Sequence, residues 1–255
     1  MKRRRVVMST AGWALALGIA AAAAGGAPEH YKNDPANINP DPDYVPGDYP
    51  LPEVHSAEAL YHAKKAELAS AESAGDADRL FTLGIGEISF VSVKNENASV
   101  LGYFRDYIGA ARMRDGLPER MDLLVNVNSL DTAVPGRNNR ILDLLFRSAT
   151  PDLGTCSLEF RHFDPSGATG EVLSDGQPHP VAAAGTIVLN GVTRPLQAAL
   201  QVRREGSVWI VETVEPVEIR LSDFAFGDAI YALMASCNHV SIADAVRVNA
   251  ILYMR

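Results

Sequence analysis

The chain has 255 residues, 47% of them apolar and 7% aromatic, enough to bury a full core in one or two domains. Its formal charge of -8 and pI near 5.2 leave no basic footprint for nucleic acid, which is not an expected partner. The same charge would repel anionic membrane surfaces over most of the fold.

Lys2 to Arg5 make a positive start, the run from Val6 to about Ala24 is almost wholly apolar, and Ala22-Ala23-Ala24 is a small-residue tract. Together they predict a secretory signal over residues 1–24, cleaved after Ala24, and export to the periplasm. The competing reading is an uncleaved anchor, since the run is near the lower limit for spanning a bilayer. Residues 25–54 are dense in proline and polar residues and predict an extended linker, whose Tyr31, Tyr44 and Tyr49 could dock on the following domain or on an envelope protein. Residues 55–76 predict a helix with Ser56 as N-cap, Gly75 as the stop and a thin, Ala-rich stripe. His55 and His62 lie seven apart without companions, a spacing that suits solvated histidines better than metal ligands.

Strand signals dominate from Leu80, and residues 80–255 are expected to form one domain. LFTLGIGEISFVSVK predicts a first strand with Gly84 and Gly86 as bulge or bend sites. SVLGYFRDYIGAARM follows as one strand, with Gly102 and Gly109 relieving the sharp curvature a barrel requires. In the third strand Met121, Leu123, Val125 and Val127 alternate with Asp122, Leu124, Asn126 and Asn128. It ends at Ser129-Leu130-Asp131-Thr132, where Asp131 can bond backbone amides. A short helix with Arg137 and Arg140 then runs to Phe146. CSLEFRHF, from Cys156, is a fourth strand, and the polar, Gly/Pro-rich DPSGATGEVLSDGQPHP predicts a long loop.

Asn190-Gly191 joins two strand-like runs, and both residues tolerate the positive φ of a type I′ turn, so Ala183–Arg203 should form a hairpin. Beyond the turn Leu196, Ala198, Leu200 and Val202 alternate with wetter neighbours, which predicts one covered face. Pro195 has no amide hydrogen and belongs at a strand start, an edge or a bulge. VWIVETVEPVEIRL predicts one further strand and DAIYALMASCN a helix. In the last strand Ile242, Asp244, Val246, Val248, Ala250 and Leu252 share a mostly apolar parity.

Two of these stretches carry a family resemblance. LNGVTRPL at the hairpin and NVNSLDTAVPGRNNRILDLLF upstream of it resemble motifs of the YceI-like family, periplasmic lipocalin-like β-barrels that bind polyisoprenoid lipids; LSDFAFG, Leu221–Gly227, is a weaker third match. The resemblance covers roughly Leu80–Arg255. It implies a mainly β fold, an antiparallel barrel of about eight strands with short capping helices. The chain departs from the commonest family pattern after the first strand, where Lys94 and Asn95 stand in place of a histidine, so a headgroup role for that histidine does not transfer.

The implied ligand is an isoprenoid-type lipid, a quinone or polyprenyl phosphate, held for carriage or sequestration. No other cofactor is expected. The expected interior lining is Val125, Val127, Ile187, Leu189, Leu196, Ala198, Leu200, Val202, Ile210, Val246, Val248 and Leu252, with Asp131, Arg137 and Arg140 at the mouth or headgroup. For Asp131 and Arg140 the plainer alternative is that they staple a turn. The same apolar positions would also suit a filled core, and with it a non-enzymatic envelope scaffold or interaction module. Hydrolase, zinc-protease and phosphate-loop motifs are all missing, so no catalytic residues are expected. Cys156 and Cys237 are the only cysteines; an even count in an exported chain fits a disulfide, and the rival is two buried thiols.

Overall fold

A computed structural model describes residues 80–114, 117–146, 153–165 and 176–255, together with Ala63, Ala66, Glu67 and Ser70, which are helical and exposed. The expected signal, the linker and most of the N-terminal helix lie outside the described residues, as does most of the long loop before the hairpin.

The fold is one antiparallel sheet that curls until its ends meet. β1 (Leu80–Lys94) is long enough to serve two neighbours on one edge. Its start pairs with β3 (Tyr107–Arg114) and its second half with β2 (Ala98–Phe104). On the other edge it pairs with β11 (Ala245–Met254). Around the wall β3 leads to β4 (Leu117–Asn126), β6 (Thr155–Pro165), β7 (His179–Leu189), β8 (Val192–Glu205), β9 (Val208–Thr213) and β11, which returns to β1. Eight strands therefore close the ring, and β2, the two-residue β5 (Leu130–Asp131) and β10 (Val217–Arg220) are appended to it.

The expected glycine device is present in β1: the ladder to β11 slips between Leu83 and Gly86, and a Cβ on Gly86 would stand 2.4 Å from the carbonyl oxygen of Ile251. The hairpin turn has Asn190 at φ 51° and Gly191 at φ 70°, the two positive values of a type I′ turn. It sets a register in which Leu189 faces Val192 and the pairing runs on to His179 and Val202.

Two expected strands are each broken. The stretch across 99–113 divides at Arg105–Asp106 into β2 and β3, and VWIVETVEPVEIRL divides after Thr213 into β9 and β10. Each half serves a different neighbour, which leaves a seam in the wall. β9 meets β8 only from Leu200 onward, and β10 pairs with β11 alone, so among the described strands the first half of β8 has a ladder to β7 on one edge and no ladder on the other, where β10 packs against it. Pro195 lies in that half, where a missing amide hydrogen costs no ladder bond.

The helices gather at the end of the barrel where Lys94, Asn126 and Leu189 finish their strands. α1 (Pro135–Arg140) begins on Pro135, favoured at a first helical position, and widens into a π-helical turn over Ile141–Phe146. α2 (Gly227–Cys237) follows a 3-10 turn, Leu221–Phe224. The rings of Phe146 and Phe226 meet edge to face at 5.7 Å and join the two caps. Asn190 Nδ2 donates to the Phe224 carbonyl at 2.7 Å, tying the hairpin tip to the cap. At the opposite end Met113, Val181, Val202, Trp209 and Met254 are all buried and fill the barrel.

Candidate functional site

Between that filled floor and the helical cap the barrel is hollow. The cavity measures about 240 Å³ and reaches from Leu252 and Leu200 up to Lys94 and α1. An apolar void of about 150 Å³ stays dry and admits benzene, so this space is of a size to hold an apolar ligand. A barrel core filled across its axis, the alternative left open by the alternation pattern, is not what these side chains build.

Of the twelve interior positions expected from sequence, ten line the cavity and two do not. Val202 shares the inward parity of Ala198 and Leu200 but lies below the cavity, fully buried in the floor. Ile210 is on the wrong parity. Trp209, Ile210 and Val211 are all buried, but it is Val211 that lines the cavity, and three successive apolar residues hide which two point inward. The inward parity of β1 carries Ile88, Phe90, Ser92 and Lys94, and all four border the space. Sequence reasoning passed over Ser92 and Lys94 as site residues, although strict alternation from Phe90 would have placed both.

The Ser-Leu-Asp-Thr motif explains the break between β2 and β3. Ser129 Oγ accepts the amides of Arg105 at 3.0 Å and Asp106 at 2.9 Å, so both donors exposed by the bend are satisfied. Asp131 accepts from Arg105 Nε and Nη2 at 3.1 and 3.0 Å and from the Ala133 amide at 2.8 Å. Burial works to raise its carboxyl, but the Ala133 amide and the Arg105 guanidinium outweigh it and hold the group below the usual carboxylate range. Asp131 does not border the cavity. It is therefore a turn staple and not a mouth residue, because its oxygens are already taken.

Arg137 and Arg140 do border the cavity, in different states. Arg137 donates through Nε to Thr132 Oγ1 and through Nη2 to the Thr132 carbonyl, both at 2.9 Å, and so anchors α1 to the motif. Arg140, half-buried, makes no hydrogen bond or ion pair among the described residues. Lys94, 4% exposed, and His239 border the same end. The one carboxylate on the lining, Glu212, is occupied by Arg203 Nη1 at 2.8 Å. Arg140 thus brings a guanidinium to the capped end of a wall that is otherwise mostly apolar.

Both cysteines also face this space, as free thiols rather than the disulfide weighed from sequence. Cys156 sits on β6 and Cys237 ends α2, so the two belong to separate layers, wall and cap. Burial pushes the Cys156 thiol up to about 12 although part of its surface is uncovered, because that surface faces the cavity and not bulk water. Outside the wall, a depression of about 920 Å³ lies against the seam. Ala198 and Val217 border both spaces. Among the described residues no group of three or more His, Cys, Asp or Glu is placed to hold a metal ion.

A closed antiparallel barrel, hollow along its axis and capped by helices at one end, defines a lipocalin-like container. The particular family follows from comparison: the YceI-like domain model matches residues 85–253, and the chain belongs to that family. Among solved structures, a polyisoprenoid binding domain from Saccharophagus degradans, implicated in plant cell wall breakdown, is similar at 22% identity and a TM-score of 0.60, covering 69% of this chain and 98% of that one. BcnA from Burkholderia cenocepacia is similar at 16% identity and a TM-score of 0.52, covering 66% and 95%. No curated protein matches the chain.

Proposed function

We propose that the protein is an exported, periplasmic carrier that holds a long-chain apolar lipid of the polyisoprenoid class, tail in the barrel and polar head under the helical cap. The observation that carries this reading is the apolar cavity of about 240 Å³ bordered by Arg140 at its capped end. On the scale of the benzene void, such a space takes roughly ten carbon atoms, or two isoprene units. At about 0.8 kcal/mol per buried carbon that is on the order of 8 kcal/mol before the costs of association, which take at least about half of it, so the tail alone gives a reversible hold. Arg140, on the lining at the capped end, favours an anionic head such as a polyprenyl phosphate over an uncharged quinone. The proposed role is to hold the cargo unchanged. The membership of the family and the polyisoprenoid-binding neighbour support it.

The test is lipid extraction and mass spectrometry of protein purified from its native envelope. An isoprenoid co-purifying near one per chain is expected; recovery of no apolar ligand from correctly folded protein would sink the proposal.

A further inference from the structure

The inward side chains of the barrel border open space only down to a certain level. Along β11 Val248, Ala250 and Leu252 line the cavity, and Met254, one inward step further, does not. Along β8 Ala198 and Leu200 line it, and Val202 does not. Met254 and Val202 are both buried. Met254 stands opposite Trp209 in the ladder between β11 and β9, so the step below Leu252 carries two long side chains on one face of the wall. Apolar side chains packed to the density of a protein interior leave no room for a further carbon atom.

We propose that this floor makes the barrel selective for chain length: Met254 and Val202 stop an entering tail after about two isoprene units, the number that a cavity of about 240 Å³ takes. The inference rests on the carrier reading above and adds a selectivity to it. With the head beneath Arg140 and the floor opposite, both ends of the space are defined. A tail of fewer than about ten carbons leaves the bottom of the tube empty, and each missing carbon forfeits about fourfold in affinity. A longer tail meets packed side chains and can go no deeper. It must hold its head away from Arg140 or leave its last carbons outside, and in either case it buries nothing more. Affinity therefore climbs with tail length and then stops, whereas in a tube open at both ends it would go on climbing.

The test is calorimetric binding of dimethylallyl, geranyl, farnesyl and geranylgeranyl phosphate to the delipidated protein, each below its aggregation concentration. The heads are identical and the tails differ by one isoprene unit. Expected are a gain of at least about a hundredfold from dimethylallyl to geranyl phosphate and less than about threefold for each unit beyond. Met254→Ala removes three heavy atoms from the floor and should let farnesyl phosphate gain at least about tenfold over geranyl phosphate. Leu200→Phe adds three at the bottom of the tube. It should cost geranyl phosphate at least about tenfold and leave dimethylallyl phosphate within about threefold, and it reads the same limit if the emptied floor of Met254→Ala does not fold. Affinity that keeps rising from geranyl to geranylgeranyl phosphate, or a series that levels at one length in the wild type and both variants, would overturn the proposal. Either result leaves the carrier reading intact and removes only the length limit, whereas failure of every member of the series to bind removes both.

Discussion

Filling the hollow by one substitution separates a container from a solid barrel. Ala198 borders the cavity and faces Ala183 across the β7–β8 ladder, so Ala198→Phe projects a phenyl ring into open space. That ring is a tethered benzene and needs about 150 Å³. Set against the 240 Å³ available, it leaves roughly 90 Å³, less than one isoprene unit on the same scale. Two effects of opposite sign follow. Retention of the lipid loses about six buried carbons, on the order of 5 kcal/mol, so ligand content should fall from near stoichiometric to near none. The ligand-free protein should gain, because an emptied volume of that size costs up to about 3.5 kcal/mol at 24 cal/mol per Å³. The assay is a denaturation midpoint on delipidated wild type and variant, with lipid content by mass spectrometry in parallel. A variant destabilised by about 1–3 kcal/mol, as an overpacked core would be, or one that keeps its lipid, would refute the reasoning.

Arg140→Gln should weaken retention of a prenyl phosphate by about tenfold or more relative to a quinone of equal chain length, since one charge-assisted bond is removed. Loss of both lipids alike in a competition assay would show that Arg140 does not meet the head. Asp131→Asn should lower stability at neutral pH by about 0.5–1 kcal/mol, discounted because the Arg105 pair is solvent-exposed. The carboxyl is held below its ordinary value, so its stabilisation is complete above pH ~4 and is lost as pH falls through the lowered value; urea midpoints of wild type and variant should converge at the acid end, and a gap that persists there would contradict this account. Cys156, pushed up to about 12, should react with a thiol reagent on the order of a thousandfold more slowly than a free cysteine at mildly alkaline pH, until the protein is unfolded. An intact mass that rises on reduction would instead reveal a Cys156–Cys237 disulfide.

What was readable from sequence was whatever local chemistry decides. Asn190-Gly191 announces its turn because few other residues accept positive φ twice in succession, and Pro195 announces an edge because it lacks a donor. The alternation along β8 and β11 named their cavity-facing residues for the same reason. Boundaries decided by distant partners were not readable. β2 and β3 separate because Ser129, more than twenty residues on, captures two amides at the bend, and nothing in SVLGYFRDYIGAARM itself signals a stop. The inward lysine was readable but overlooked, since a charge at an inward position looks like a breach of the pattern until the interior is known to be hollow. The parity of Ile210 was lost for the opposite reason: with every neighbour apolar there is no contrast to read.

The asymmetry of the barrel gives the proposed cargo a direction. Met254, Trp209 and Val202 close one end with well-packed apolar side chains, so a chain cannot pass through and must enter and leave at the other. At that other end lie Arg140 and the aromatic joint between the caps. In the proposed mode a lipid enters tail first, with its apolar carbons against the wall and its head beneath Arg140. The bend that ends β9 sends the chain on to β10, which pairs with β11, so the first half of β8 keeps its ladder to β7 alone.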